Sequence, residues 1–448
     1  VVITQTDNRY WSLPKDYTSQ QYGVDIVDRF RISSCSIHSG HLGIPVFNQW
    51  TLTTNGIPIN FQFNQLASDG VNIVVAGGGN PVLTGSPGGI VKMPVANLTN
   101  GNNNSWAFNF GAGFNIMTKC VFAPSFGVNT FLALSDGTGG SWVYRTDDGG
   151  VNWINITPSV SGGDTFVDMC YVVGHGVVIV GGNEKIWFYD GSSVSLKYNG
   201  GGQPITVVRP ISNNSSVCIA GGTFGFYYIS HDCVNWVRVS LPGITINDFA
   251  IDTNGQFIYA GGLNGSNQSI GYYLISNNFV SGVWSLVSGS TVPNMTNFTP
   301  SYVAGGKIPN GLPIMAVSGN TIVGPGQGVG TATVSINSGM TWATKSLGAG
   351  PAANQTCLVV AYLPGGFYAS GVGATPYGGN YWSAISYSPD GVNWTLETSI
   401  ENGGSTNQYT FFQFIAFPYQ PGLYTLMAYG QAPSNTGGGL VMLNTYPQ

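Results

Sequence analysis

The chain has 448 residues, 43% of them hydrophobic, enough to bury a large core despite 66 glycines. Only 7% are Asp, Glu, Lys or Arg, against roughly 25% in ordinary soluble domains, and the formal net charge is −5. So thin a charge excludes a basic surface for nucleic acid or anionic membrane, and no apolar run approaches the ~18 residues of a membrane helix.

Asn, Gln, Ser, Thr and Gly supply the polarity instead, a neutral surface of the kind that suits virion or extracellular proteins. The start, VVITQTDNRY, has no basic residue followed by an apolar stretch, so no signal peptide is expected there. The six cysteines (Cys35, Cys120, Cys170, Cys218, Cys233, Cys357) contain no C-x-x-C pair. Four of them sit in apolar runs, where cysteine acts as a small hydrophobe, so buried free thiols are expected.

Residues 1–45 differ in character from the rest of the chain. KDYTSQQYGVDIVDRFRISS carries Lys15, Asp16, Asp25, Asp28, Arg29 and Arg31 in a chain otherwise almost devoid of charge, which marks an arm preceding one domain over residues 46–448. CSIHSGH places Cys35, His38 and His41 close enough to suggest metal ligands, but no fourth ligand is evident, and neither a metal nor another cofactor is expected. VDRFRISS resembles a D-x-F-G-R-x-R-V-S stretch near the start of some phage virion proteins, without its Gly. That resemblance implies attachment to a virion or a neighbouring subunit through Asp28, Arg29 and Arg31.

Beyond residue 45 the chain repeats itself. TDDGGVNWINI at Thr146, SHDCVNWVRV at Ser230, SINSGMTWATK at Ser335 and SPDGVNWTLET at Ser388 put a turn-forming run before a strand-like one. With Trp50, Trp106 and Trp284, and with Leu196 filling one slot, the closing positions recur every ~49 residues, within the period of propeller blades. A second motif recurs upstream of each, as in NIVVAGGG at Asn72, GVVIVGGN at Gly176 and QFIYAGGL at Gln256. Each unit reads as four short strands rich in β-branched and aromatic residues, punctuated by Gly, Asn and Asp. The expected fold is an all-β propeller of four-stranded blades, eight in number with seven as the alternative. The last unit supplies only three strands, so NQWTLTT, residues 48–54, is expected to close the ring by completing it.

The repeated phrase resembles the Asp-box, or BNR, repeat of sialidase-like propellers, S/T-x-D-x-G-x-T/N-W, over roughly residues 48–448. Thr146 to Trp153 fits the long form and Ser388 to Trp394 a form one residue shorter; Asn337 stands for Asp and Cys233 for Gly in the other two. The expected role of Asp148, Asp232, Asn337 and Asp390 is to accept backbone N–H groups of their own turns, while Trp153, Trp236, Trp342 and Trp394 cover apolar neighbours.

A sialidase-like glycoside hydrolase is the rival reading, since the family's enzymes clamp a carboxylate with three arginines. Here Arg145, Arg209 and Arg238 fall on a third, a first and a fourth strand, which argues against their convergence, and FRIS at Phe30 lacks the Pro of the family's F/Y-R-I-P. An ordinary glycosidase needs two carboxyls about 5–9.5 Å apart. The candidates are Asp164, Asp168, Glu184, Asp248 and Asp252, of which Asp164, Glu184 and Asp248 are placed to meet at the rim of one face if they are not simply solvated loop carboxylates.

Loops between second and third strands vary most in length, and variable loops on a rigid ring are where recognition concentrates. Trp142, Trp187, Phe224, Tyr377, Tyr381 and Trp382 lie in or beside them and are the candidate ligand-binding residues, with blade packing as the alternative. The sequence is therefore read as a non-enzymatic structural or receptor-binding component of a phage virion or similar extracellular assembly. Its expected partners are assembly proteins through residues 1–45, a host-surface glycan and further copies of itself. A secreted glycan-binding lectin is a third reading.

Overall fold

A computed structural model describes residues 2–3, 10–11 and most of 51–447. Within the latter span it leaves out 54–60, 80–87, 100–105, 110–115, 137–140, 159–163, 212–215, 224, 253–256, 276–282, 288–290, 297–313, 350–352, 354, 374–380, 403–409, 421–422 and 432–439. Among the described residues there are eight four-stranded antiparallel sheets and one small ladder pairing Val2–Ile3 with Tyr10–Trp11. In chain order the large sheets occupy 61–109, 116–155, 166–199, 205–240, 245–286, 316–346, 355–402 and 410–447, numbered here as blades 1 to 8. In each, four strands follow one another as a meander, and the first strand of each blade packs against the first strand of the next, blade 8 returning to blade 1. This is a β-propeller.

The ring closes through the chain ahead of blade 1. Thr51–Thr53 pairs antiparallel with Leu440–Pro447, setting Thr51 opposite Leu443 and Thr53 opposite Val441, and so becomes the outermost strand of blade 8. The arm residues Asp28, Arg29 and Arg31, the CSIHSGH stretch and Trp50 lie outside the described residues.

Glycine and valine make the second strands fit between neighbours. Gly176–Gly181 (GVVIVG) is buried throughout, because a strand inside a blade is covered on both faces. Adding a Cβ at Gly181 brings it within 1.8 Å of the Thr165 carbonyl oxygen, so the first strand of blade 3 approaches only because the residue is glycine. The apolar clusters span adjacent blades. One joins Val207, Ile219 and Tyr227 of blade 4 to Phe249, Ile258 and Leu274 of blade 5.

A feature without a sequence signature recurs on the innermost strands. The register slips by one residue between Phe63 and Gln65, Met117 and Lys119, Phe166 and Asp168, Ile205 and Val207, Ile246 and Asp248, Cys357 and Val359, and Phe411 and Gln413. Such a bulge re-aims the side chains around it. Two of the extra residues reach the next blade: Asn64 Nδ2 donates to the Met117 carbonyl at 2.7 Å and Thr206 Oγ1 to that of Ile246 at 3.2 Å.

Candidate functional site

The boxed turns share one geometry in two lengths. In the long form, Asp148 Oδ1 accepts the Val151 and Asn152 N–H groups at 2.9 and 3.0 Å, and the Thr146 hydroxyl closes on Asp148 at 2.7 Å. Two consecutive residues take positive φ, Gly149 and Gly150 here and Ser338 and Gly339 in the box of blade 6. In the short form Asp390 accepts from Val392 and Asn393, both at 2.8 Å, and one residue takes positive φ: Gly391, or Cys233 in blade 4. Asp232 likewise accepts from Val234 and Asn235. Every tryptophan indole then donates back to its own turn: Trp153 to Gly150, Trp236 to Cys233, Trp342 to Gly339 and Trp394 to Gly391, at 2.9–3.3 Å.

Blade 6 keeps this geometry with its polarity reversed. In three boxes an asparagine amide before the tryptophan donates to the carboxylate, as Asn152 Nδ2 does to Asp148 Oδ2 at 2.7 Å. In the fourth, Asn337 Nδ2 is the donor and Thr341 Oγ1 the acceptor, at 2.8 Å. Burial raises the Asp148 and Asp390 carboxyls, but hydrogen bonds from Thr146 and Asn152, and from Asn393 and Val392, outweigh it and hold both at about 2. The N–H of Asn235 is the main cause of a depression at Asp232 in the same direction.

None of the five candidate carboxyls is a solvated loop group: all are at least 95% buried. Asp168 and Asp248 belong to a chain of charges along the innermost strands of blades 2 to 5. Lys119 Nζ lies 3.0 Å from Asp168 Oδ1, and Arg209 joins Asp168 Oδ2 to Asp248 Oδ1 with 2.8 Å contacts on each side. Backbone N–H groups complete it, Val208 to Asp168 and Ile314 to Asp248. Burial pulls the Lys119 ammonium down and pushes the Asp248 carboxyl up, while Asp248 and Asp168 overcome burial to hold Arg209 charged.

Asp164 pairs with Lys185 at 2.7 Å, and Asp252 accepts the Phe257 N–H at 2.8 Å. Glu184 closes a tight turn after Gly181 in which Asn183 and Glu184 both take positive φ, +57° and +55°. Its Oε1 receives Arg238 Nε at 2.9 Å, Tyr228 at 2.8 Å and Tyr198 at 3.3 Å, and Gly200 and Gly202 pack against the carboxylate. Arg238 in turn lies 3.6 Å over the Phe226 ring.

The reading of Asp164, Glu184 and Asp248 as solvated loop carboxylates is thus corrected. Each faces a different cation, and the bulge after Ile246 turns Asp248 into the blade interface rather than onto the face. Arg145 pairs with Asp147 and Tyr189, Arg209 with Asp168 and Asp248, and Arg238 with Glu184, so the three arginines do not converge on one ligand.

No protein-family model and no curated protein sequence matches the chain. Solved structures resemble it in fold. It is similar to YCF48 bound to D1 peptide (TM-score 0.48, 12% identity, 89% of this chain and 96% of that one covered). It is also similar to YCF48 from Cyanidioschyzon merolae (TM-score 0.45, 11% identity, 88% and 99% covered) and to the Niastella koreensis GH74 enzyme (TM-score 0.38, 14% identity, 84% and 59% covered).

Of the candidate ligand-binding aromatics, Trp187 is corrected outright. It is 1% exposed, packed edge-on against Phe166 at 5.0 Å, because the third strand of blade 3 is covered on both faces. Trp142 is half-buried against the cluster of Val74, Met117 and Phe131. Phe224 and Tyr377 lie outside the described residues; Tyr381 and Trp382 begin the strand Tyr381–Ser388, whose backbone pairs them with Asn402 and Glu401. Sequence reasoning missed Lys119, Tyr198, Tyr228 and Phe226. A lysine inside the apolar run IMTKCVF was the one available signal, since an unpaired buried ammonium is costly.

Among the described residues no group of three or more His, Cys, Asp and Glu side chains is arranged to hold a metal, and no helix is long and apolar enough to cross a membrane. The five described cysteines are buried free thiols; Cys35 lies outside the described residues.

Proposed function

We propose that this chain is a non-enzymatic, eight-bladed propeller of the Asp-box kind, serving as a structural or receptor-binding component of a phage virion or similar extracellular assembly. The observation that carries the non-enzymatic part is the engagement of the carboxyls. A glycosidase needs one carboxyl with raised pKa and water or substrate within reach of both. Asp248 is the candidate whose carboxyl is pushed up, and it is fully buried against Arg209 and the Ile314 N–H. Glu184 is held by Arg238, Tyr228 and Tyr198, and Asp164 by both oxygens on Lys185.

The virion part rests on the sequence: the charged arm over residues 1–45 with its VDRFRISS stretch, and a body of neutral polar surface. In this reading the arm contacts assembly proteins or further copies of the chain, and the loops around Trp142, Phe224, Tyr377, Tyr381 and Trp382 meet a host-surface glycan.

Electron microscopy of the full chain beside one lacking residues 1–45 tests attachment. Ordered oligomers from the full chain alone support it, and identical assembly by both removes it. Incubation with a panel of chromogenic glycosides and sialosides tests the other half; turnover abolished by Asp248→Asn or Glu184→Gln in a folded variant would establish the enzyme instead.

A further inference from the structure

The box of blade 4 departs from its siblings at one position. Where blades 2, 6 and 7 place Gly150, Gly339 and Gly391 at positive φ, blade 4 places Cys233 at φ +61°, a conformation that side chains disfavour. Its thiol lies 3.3 Å from that of Cys218, the first residue of the second strand of the same blade. Both are completely buried, and the Cys233 thiol also donates to the Ser216 carbonyl at 3.2 Å. Cys170 of blade 3 belongs to the same apolar cluster.

We propose that Cys218 and Cys233 are a disulfide site, closed when the chain folds in an oxidising environment, which pins the box turn of blade 4 to the strand beneath it. The sulfurs need only close from 3.3 Å to the roughly 2.05 Å of a disulfide. The unusual residue at the turn then has a covalent purpose, since a glycine there avoids the backbone cost but has no sulfur to offer.

The chemistry is thiol–disulfide exchange with a small-molecule disulfide such as oxidised glutathione. One cysteine thiolate attacks a glutathione sulfur, forming a mixed disulfide and releasing one reduced glutathione. The other cysteine attacks the protein sulfur of that mixed disulfide and releases the second glutathione. Two electrons pass to the glutathione disulfide, and the two thiol protons end on the released glutathiones. In the closed fold, hydrogen bonding to Cys170 and Cys233 together with burial pushes the Cys218 thiol up, which disfavours the attacking thiolate. Oxidation therefore belongs to folding, before the cluster seals.

The full chain, unfolded in urea and refolded in a glutathione redox couple, is alkylated and mapped by peptide mass spectrometry. The expected product is a Cys218–Cys233 crosslink that persists in Cys170→Ser, with a thermal midpoint about 2–5 °C above that of the reduced protein. Cys233→Gly restores the glycine of the other boxes and keeps the test independent of misfolding: it is expected to fold, lack the crosslink and show no midpoint shift with dithiothreitol. Cys218 and Cys233 remaining fully alkylatable in refolded protein, or Cys218 pairing with Cys170 instead, overturns the proposal.

Discussion

Arg209 Nη1 lies 2.8 Å from Asp168 Oδ2, so an ion pair ties the innermost strand of blade 4 to that of blade 3. The other nitrogen of the same guanidinium reaches Asp248 of blade 5 at 2.8 Å, and Lys119 of blade 2 completes a four-member chain. Two cations and two anions balance, in a place where an uncompensated charge is expensive.

Replacing Arg209 by Met leaves the buried Asp248 without its cation and Asp168 with Lys119 alone. The expected loss is about 3–5 kcal/mol in urea unfolding. Adding Asp248→Asn to Arg209→Met removes the unpaired carboxylate while leaving the Lys119–Asp168 pair balanced, and is expected to recover a large part of that loss; an Arg209→Met protein as stable as the parent would show that the chain of charges does not hold the blades.

The box carboxylates predict an acid limit. Asp148 and Asp390 have folded values of about 2, below the unfolded value of about 3.9. Their contribution is therefore complete above the unfolded value and is lost as pH falls through the folded one. Melting temperatures followed by tryptophan fluorescence from about pH 5 down to about pH 2 should fall, and the Asp148→Asn, Asp390→Asn double variant should show a shallower slope over that window. Equal slopes would rule the boxes out as its source.

Trp394 is 8% exposed and its indole N–H donates to Gly391 O at 2.9 Å. Trp394→Phe keeps most of the apolar contact but leaves that carbonyl without its donor, at an expected cost of about 0.5–1.5 kcal/mol. Trp394→Ala should cost more, about 3–5 kcal/mol, through the cavity it leaves in the cluster between blades 6 and 7. Chemical denaturation of the two variants separates the hydrogen bond from the packing.

Gly200 leaves room for a carboxylate. A Cβ there falls 2.2 Å from Glu184 Cδ, and Glu184 cannot yield easily because Arg238 and Tyr228 hold it. Gly200→Ala is expected to destabilise by about 1–3 kcal/mol. In a Glu184→Ala background the penalty should shrink, a coupling that a double-mutant cycle reads directly.

The periodic features of the molecule were readable because strands inside a blade announce themselves. Runs such as QFIYAGG and the tryptophan after each boxed turn carry the repeat, and the likeness of NQWTLTT to VNWTLET points to the strand that closes blade 8. The charge chain was readable only as a lysine inside an apolar run, which signals a buried partner but not its identity or direction. A bulge adds one residue without disturbing the apolar character around it, so nothing in IMTKCVF or TINDFAI says that Lys119 and Asp248 turn into the blade interface. Trp187 misled for a related reason. It lies beside a short loop, yet its strand is third of four and covered on both sides. The partners of Glu184 come from residues 198, 228 and 238, a convergence that only the stacking of blade 3 on blade 4 creates.

Closure by Thr51–Thr53 also settles where tension enters the ring. These residues form the outermost strand of blade 8, so a pull on the preceding chain acts at the perimeter rather than along the axis. The load then falls on the short ladder to Val441, Met442 and Leu443. If that ladder gives way, the strand Leu440–Pro447 loses its outer neighbour while the seven other sheets keep all four of their strands.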